Sequence, residues 1–173
     1  MLPLLQFLLL IAFPALAIVA AMRDATSFTI PNWISLALIG LYFPAALALG
    51  VPLPQIGLAV LVGFGALLVG MGMFAAGWIG GGDAKLFAAV ALWLGWSALL
   101  PFLAVTALAG GGLALSLLVA RSGWFRPVTI GLGGWVGRLT TPGENVPYGV
   151  AIAAGALAAF PMSLTAQLFP GLS

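Results

Sequence analysis

QIGLAVLVGFGALLVGMGMFAAGWI, Gln55–Ile79, runs for 25 residues without a charged side chain and leads straight into Gly80-Gly81-Gly82-Asp83-Ala84-Lys85. An α-helix rises about 1.5 Å per residue and the hydrocarbon core of a bilayer is about 30 Å thick, so about 20 apolar residues span it. The stretch therefore reads as a transmembrane helix that ends in a polar, glycine-rich turn. Working outward, the same pattern recurs at Leu2–Met22 and Trp33–Gly50 on one side, and at Leu86–Leu100, Pro101–Ala120 and Val146–Thr165 on the other. Only 5% of the residues are charged, against roughly 25% for a soluble domain, and little chain remains outside these segments. We expect an all-α integral membrane protein of about six transmembrane helices, forming a single polytopic domain over 1–173 with no separate soluble domain.

Pro14 and Pro44 fall inside their segments. Membrane helices tolerate this because neighbouring groups re-satisfy the backbone, so kinks are expected rather than breaks. Between Leu92 and Pro101 the main polar break is Ser97, and proline suits the first turn of a new helix, so a tight hairpin is expected with Pro101 opening the fifth segment. Ala15-Leu16-Ala17 has the look of a signal-peptide cleavage site. Such a peptide has a basic start, however, and here the first charged side chain is Arg23, after the apolar stretch. The first segment is therefore read as a membrane helix with its N-terminus outside.

Six spans starting outside place Arg23–Asn32, Gly80–Lys85 and Arg121–Asn145 on the inner face. Arg23, Lys85, Arg121, Arg126 and Arg138, all the basic side chains of the chain, lie in those three segments, as the positive-inside rule requires. Both termini then lie outside, and the three acids Asp24, Asp83 and Glu144 lie inside. In Arg121–Asn145 the arginines mix with Trp124, Phe125 and Trp135, which suits the headgroup level, while the glycines argue against one regular helix. Small residues four apart, Ala76/Gly80 and Gly77/Gly81, suit close helix packing.

The chain has neither cysteine nor histidine, which removes the usual ligands of zinc, copper and haem together with Cys and Ser–His nucleophiles. No metal and no cofactor is expected, and acid–base work falls to carboxylates. The net charge of +2 is too small and dispersed for a nucleic-acid partner. Two acids stand at junctions between apolar and polar sequence, where a carboxylate is costly and therefore a marker of chemistry or transport. Asp83 follows the glycine run Gly80-Gly81-Gly82, which would let an extended substrate backbone approach; it would equally serve as a helix cap. Asp24 opens the polar stretch Asp24-Ala25-Thr26-Ser27-Phe28-Thr29-Ile30-Pro31-Asn32, which reads either as half of a site or as a loop that starts a helix at Pro31-Asn32.

An Asp followed six residues later by Ile30-Pro31-Asn32, then Gly-x-Gly-Asp-x-Lys at Gly80–Lys85, then Val146-Pro147-Tyr148-Gly149-Val150-Ala151-Ile152, resembles the type IV prepilin peptidases. It looks in particular like the short forms associated with Flp-type (tight adherence) pili. The resemblance runs from Asp24 to about Gly155. It implies an aspartic endopeptidase of the bacterial inner membrane that removes the leader of prepilins at the cytoplasmic face. Asp24 and Asp83 fall on the catalytic positions, with Gly80, Gly82, Lys85, Pro31, Asn32, Pro147, Tyr148 and Gly149 as motif residues lining the site. Longer members also N-methylate the pilin through a cysteine-containing insert, which this chain has no cysteine and no room for. The expected partners are a prepilin and membrane lipid, with anionic headgroups offsetting inner loops that carry five cations and three acids. The number of subunits is left open.

Two carboxylates converging on one water do not readily both ionise, so one holds a proton while the other acts as base. Helix ends suggest the division: Asp83 opens a helix, which favours the carboxylate, and Asp24 follows the end of one, which favours the acid. Lys85, two residues after Asp83, points to another side of its helix and is expected at a lipid phosphate or a substrate acid. Glu144 reads as a solvated loop carboxylate, with a supporting role beside Pro147-Tyr148-Gly149 as the alternative. A small proton or sodium transporter would also use two such acids, but transport sites tend to lie near the midplane and these share one face. A non-catalytic assembly protein need not have kept both motif aspartates.

Overall fold

A computed structural model describes residues 2–122 and 133–169. Among these residues the chain is helical, in the order α1 Leu2–Ser27, α2 Asn32–Ala48, α3 Leu53–Ala75, α4 Gly81–Ala120, α5 Gly134–Leu139, α6 Tyr148–Ala159, a 3₁₀ turn Phe160–Met162 and α7 Leu164–Gln167. Three helices, α1, α3 and α4, are long and apolar enough to cross a membrane, and α2 and the stretch Tyr148–Met162 are shorter apolar helices. Large apolar side chains are exposed on the outside, among them Leu61, Trp96, Leu100 and Leu108, as in a protein whose solvent is lipid.

The 40-residue helix α4 is two arms. Gly95 takes φ 60° and ψ −165°, a conformation open essentially to glycine alone. The rings of Phe87 and Phe102 stack with centroids 5.3 Å apart, although 15 residues of continuous helix would separate them by about 22 Å. The chain therefore folds back, as the expected hairpin does, but at Gly95 and not at Pro101. Pro101 lies inside the second arm, 96–120, because the reversal needs a backbone that only glycine supplies. α1 and α2 stay unbroken through Pro14 and Pro44.

Other boundaries also moved. α1 runs beyond Met22 to Ser27, its last turn closed by Thr26 Oγ1 donating to the Met22 carbonyl at 2.7 Å and Ser27 Oγ to the Arg23 carbonyl at 2.6 Å. Asp24 thus lies within the last turn of α1, not after it. α3 stops at Ala75, short of Ile79, because Gly77 turns left-handed at φ 74° and the Trp78 amide bonds back to Met73. The last apolar segment is regular helix only to Ala159. Pro161 then enters the 3₁₀ turn, and the Ser163 hydroxyl caps α7 by accepting the Ala166 amide.

The first arm of α4, residues 81–94, is the central post. Leu86, Val90, Trp93 and Leu94 are fully buried, and Trp93 Nε1 donates to the Leu38 carbonyl of α2 at 2.7 Å while its ring meets Phe13 and Tyr42. α3 comes close enough that a Cβ at Gly63 would lie 3.0 Å from Leu92, and one at Gly70 3.1 Å from Ala84. The close packing expected of the α3 glycines is realised at these two positions, within the helix rather than at its end. α6 packs on the second arm just as tightly, with the Gly155 face against Phe102 and Thr106. These contacts fix the start of α4, and Asp83 with it, against the end of α1.

Candidate active site

Asp83 is the third residue of α4. Its Oδ2 accepts the Gly80 amide at 2.9 Å, so the carboxylate does cap its own helix. Oδ1 is buried and has no hydrogen-bond partner. The cap therefore uses one of the two oxygens and leaves the other without a partner. Gly80 is small because a Cβ there would lie 3.0 Å from Asp83 Oδ2, and Gly82 because a Cβ would meet Ile30 at 3.1 Å. The glycine run was expected to admit a substrate backbone. At Gly82 it admits Ile30 of this chain, which locks the Ile30-Pro31-Asn32 stretch onto the start of α4.

Asp24 is equally buried, and its Oδ2 accepts the Gly149 amide at 2.6 Å across 125 residues of sequence. A Cβ at Gly149 would fall 2.6 Å from Ile30 Cδ1 and 2.8 Å from Asp24 Oδ2, so a larger residue would displace one or both side chains. The Val150 amide also faces Asp24, and the Gly149 amide faces Asp83 as well. The two carboxylates thus meet around the N-terminus of α6. They line one cavity of about 160 Å³, together with Phe28, Trp78, Ile79, Asn145, Val146 and Tyr148.

The family model of the type IV leader peptidases matches residues 11–115, well over half of the chain and including both aspartates. The chain belongs to the type IV leader peptidase family. No curated protein and no solved structure matches it. Peptidase activity on prepilin leaders comes with that family. The third stretch, Val146–Ile152, lies outside the matched residues, yet it supplies the amide that holds Asp24.

The N-terminus of α6 bears on the division of roles expected for the two aspartates. Asp24 stands at the negative end of α1 but directly against the positive end of α6, so the α1 dipole alone no longer marks it as the acid. Lys85 gains a partner that was not expected: Nζ donates to Asn32 Oδ1 at 2.9 Å, tying the second motif to the first. Pro31 and Pro147 occupy the cap positions before α2 and α6. Glu144 is half-buried and offers its main-chain carbonyl to Arg121; its neighbours Asn145 and Val146 line the cavity and it does not. Arg126, Trp124 and Phe125 lie outside the described residues. Among the described residues no group of three acids, cysteines or histidines could hold a metal ion.

Two residues gain a role that the sequence reading missed. Arg121, just after α4, donates to three carbonyls: Leu139 at 2.9 Å, Glu144 at 2.8 Å and Asn145 at 3.1 Å. Its fork of donors ties down the irregular stretch that leads to Gly149. Phe28, with φ 53°, turns the chain between α1 and α2, lines the cavity and carries the Arg138 guanidinium 5.0 Å from its ring centre. The only signal for Arg121 was a guanidinium next to a non-helical segment whose carbonyls lack helical partners.

Proposed function

We propose that Asp24 and Asp83 are the catalytic pair of an aspartic endopeptidase that removes the leader of Flp-like type IV prepilins. The observation that carries this reading is the shared cavity, in which two buried carboxylates from distant parts of the chain meet with Asp83 Oδ1 unpartnered. One carboxylate takes a proton from the attacking water as its oxygen bonds to the scissile carbonyl carbon, while the protonated partner donates to the carbonyl oxygen. Collapse of the tetrahedral intermediate breaks the C–N bond: the proton taken from water passes to the leaving amine, and the other carboxylate takes back from the intermediate's hydroxyl the proton it gave, which restores the pair. The Gly149 amide holds Asp24 in place for this exchange.

The reading includes a six-span chain, made of α1, α2, α3, the two arms of α4 and the segment starting at α6, with both termini outside. It sets the aspartates at the cytoplasmic face of the bacterial inner membrane, supported by the confinement of all five basic side chains to the three segments on that side. Cleavage without N-methylation is supported by the lack of cysteine and by polar segments too short for a further domain. Anionic lipid would draw a basic leader to these loops at about 1 kcal/mol per basic residue.

Co-expression with a prepilin from the same genome tests the pair. Asp24→Asn and Asp83→Asn are each expected to abolish leader removal while the protein stays in the membrane, since an amide keeps the shape but cannot exchange the proton. Processing at a near wild-type rate in either variant would remove the two-carboxylate mechanism. An ion flux lost in both, with processing intact, would point instead to a proton or sodium path.

A further inference from the structure

Asn145 lies in the non-helical stretch before α6, where its main chain is held and its side chain is not. The Asn145 carbonyl accepts Arg121 Nη2 at 3.1 Å, and the Glu144 carbonyl before it accepts Arg121 Nη1 at 2.8 Å, so the backbone is pinned. The residue is exposed, and among the described residues its carboxamide makes no hydrogen bond. Yet Asn145 lines the cavity of Asp24 and Asp83, shortly before Gly149, whose amide holds Asp24. The polar side chains described on that cavity are the two aspartates, Trp78, Tyr148 and Asn145, and none is a cation. Trp78 can only donate and Tyr148 has a single hydroxyl, whereas a carboxamide sets a donor and an acceptor side by side.

We propose that the Asn145 carboxamide clamps the substrate main chain, accepting from the N–H and donating to the C=O of one extended residue near the cleaved bond. The proposal rests on the catalytic pair argued above and adds how the peptide is held there. In an extended chain the N–H and C=O of one residue point the same way, so a planar carboxamide meets both at once. A peptide that leaves water for a buried site at the membrane needs its polar groups bonded, and each one left without a partner is costly. The backbone held by Arg121 keeps the free carboxamide beside Asp24 and Asp83, where gripping the neighbouring residue sets the scissile carbonyl against the carboxylates.

The test couples the side chain to the substrate backbone. Enzyme in vesicles is given synthetic prepilins in which one peptide bond at a time, on either side of the cleaved one, is replaced by an ester, which lacks the N–H. In the wild type one of these esters is expected to lower kcat/KM by about fivefold or more, the scale of one lost hydrogen bond. Asn145→Ala should lower kcat/KM for the all-peptide substrate by at least as much, and the same ester should then cost nothing further, because enzyme and substrate changes remove one contact. The remaining esters should cost the variant what they cost the wild type. Glu144→Ala, which keeps the main-chain carbonyl that Arg121 holds and lies off the cavity, should show the wild-type pattern. Asn145→Ala breaks no bond among the described residues, so it is expected to reach the membrane at the wild-type level. If every ester costs Asn145→Ala the same factor as the wild type, the proposal is overturned, even where the variant is slow, since a residue that merely shapes the loop has no coupling to one substrate N–H. Cleavage that survives Asp24→Asn would overturn the catalytic pair instead.

Discussion

Asp83 is held by an amide three residues away and Asp24 by an amide 125 residues away, yet both carboxylates are buried on one cavity. The cap of Asp83 forms whenever α4 begins at Gly80, so its oxygen is placed by local structure. The hold on Asp24 exists only once α6 has docked on α1, so it reports the assembly of the whole bundle. The pair is complete only in the folded protein, which suits a peptidase that must not cut before it is built.

The largest effect should come from breaking the long-range side. Gly149→Ala introduces a methyl 2.6 Å from Ile30 Cδ1 and 2.8 Å from Asp24 Oδ2, so the Ile30 side chain and the Asp24 carboxylate, or α6 itself, must shift for it to fit. Overpacking of this kind costs about 1–3 kcal/mol of stability, and a shift of about 1 Å at a catalytic group costs about a hundredfold in rate. The expected outcome is at least that loss of leader cleavage from protein that still inserts, measured as initial rate at matched membrane level. Activity within a few-fold of wild type would show that Asp24 does not need Gly149.

The same contrast explains what could be read from the sequence. Hydrophobic runs made α1, α2 and α3 legible, and the Gly-x-Gly-Asp pattern made the cap of Asp83 legible, because each depends on neighbours in the chain. The hairpin was foreseen but misplaced. Pro101 is a recognisable helix-starting residue, whereas the need for φ 60° at Gly95 comes from how the two arms pack. The family resemblance brought out Gly149 as a motif residue, yet its partner could not be read, since nothing local says that its amide meets Asp24. Gly82 shows the converse: its smallness was legible, but the residue it makes room for, Ile30, was not.

Arg121 sharpens the comparison because it serves the Asp24 side alone. Arg121→Gln removes most of the donors that hold Leu139, Glu144 and Asn145, at about 0.5–1.5 kcal/mol for each hydrogen bond lost. Cleavage should fall by about tenfold, mainly in kcat, as Gly149 loosens against Asp24. Arg121→Lys, which keeps the charge but not the fork, should recover only part of it. A loss confined to KM would instead make Arg121 a substrate contact. On the other side, Gly80→Ala crowds Asp83 Oδ2 at 3.0 Å, and the carboxylate can yield by a few tenths of an ångström. Alanine is also a poorer cap than glycine by roughly 0.5–1 kcal/mol, so a two- to fivefold loss is expected, well short of that in Gly149→Ala. A larger loss at Gly80 than at Gly149 would invert the proposed contrast.

The smallest effect should come from the one side-chain bond that joins the two motifs. Lys85 Nζ and Asn32 Oδ1 lie 2.9 Å apart at an exposed position, so the bond competes with water and its net worth is about 1 kcal/mol. Lys85→Met and Asn32→Ala should each slow cleavage by a factor of about two to six, the rate equivalent of up to that energy. The double variant should be no slower than the worse single one, because both remove the same contact. If Lys85 served a lipid phosphate instead, the two losses would multiply, and the Lys85→Met defect would vanish in neutral bilayers and at high salt. Measuring the cycle in neutral and anionic vesicles therefore separates a strut between Asp24 and Asp83 from a contact with the membrane.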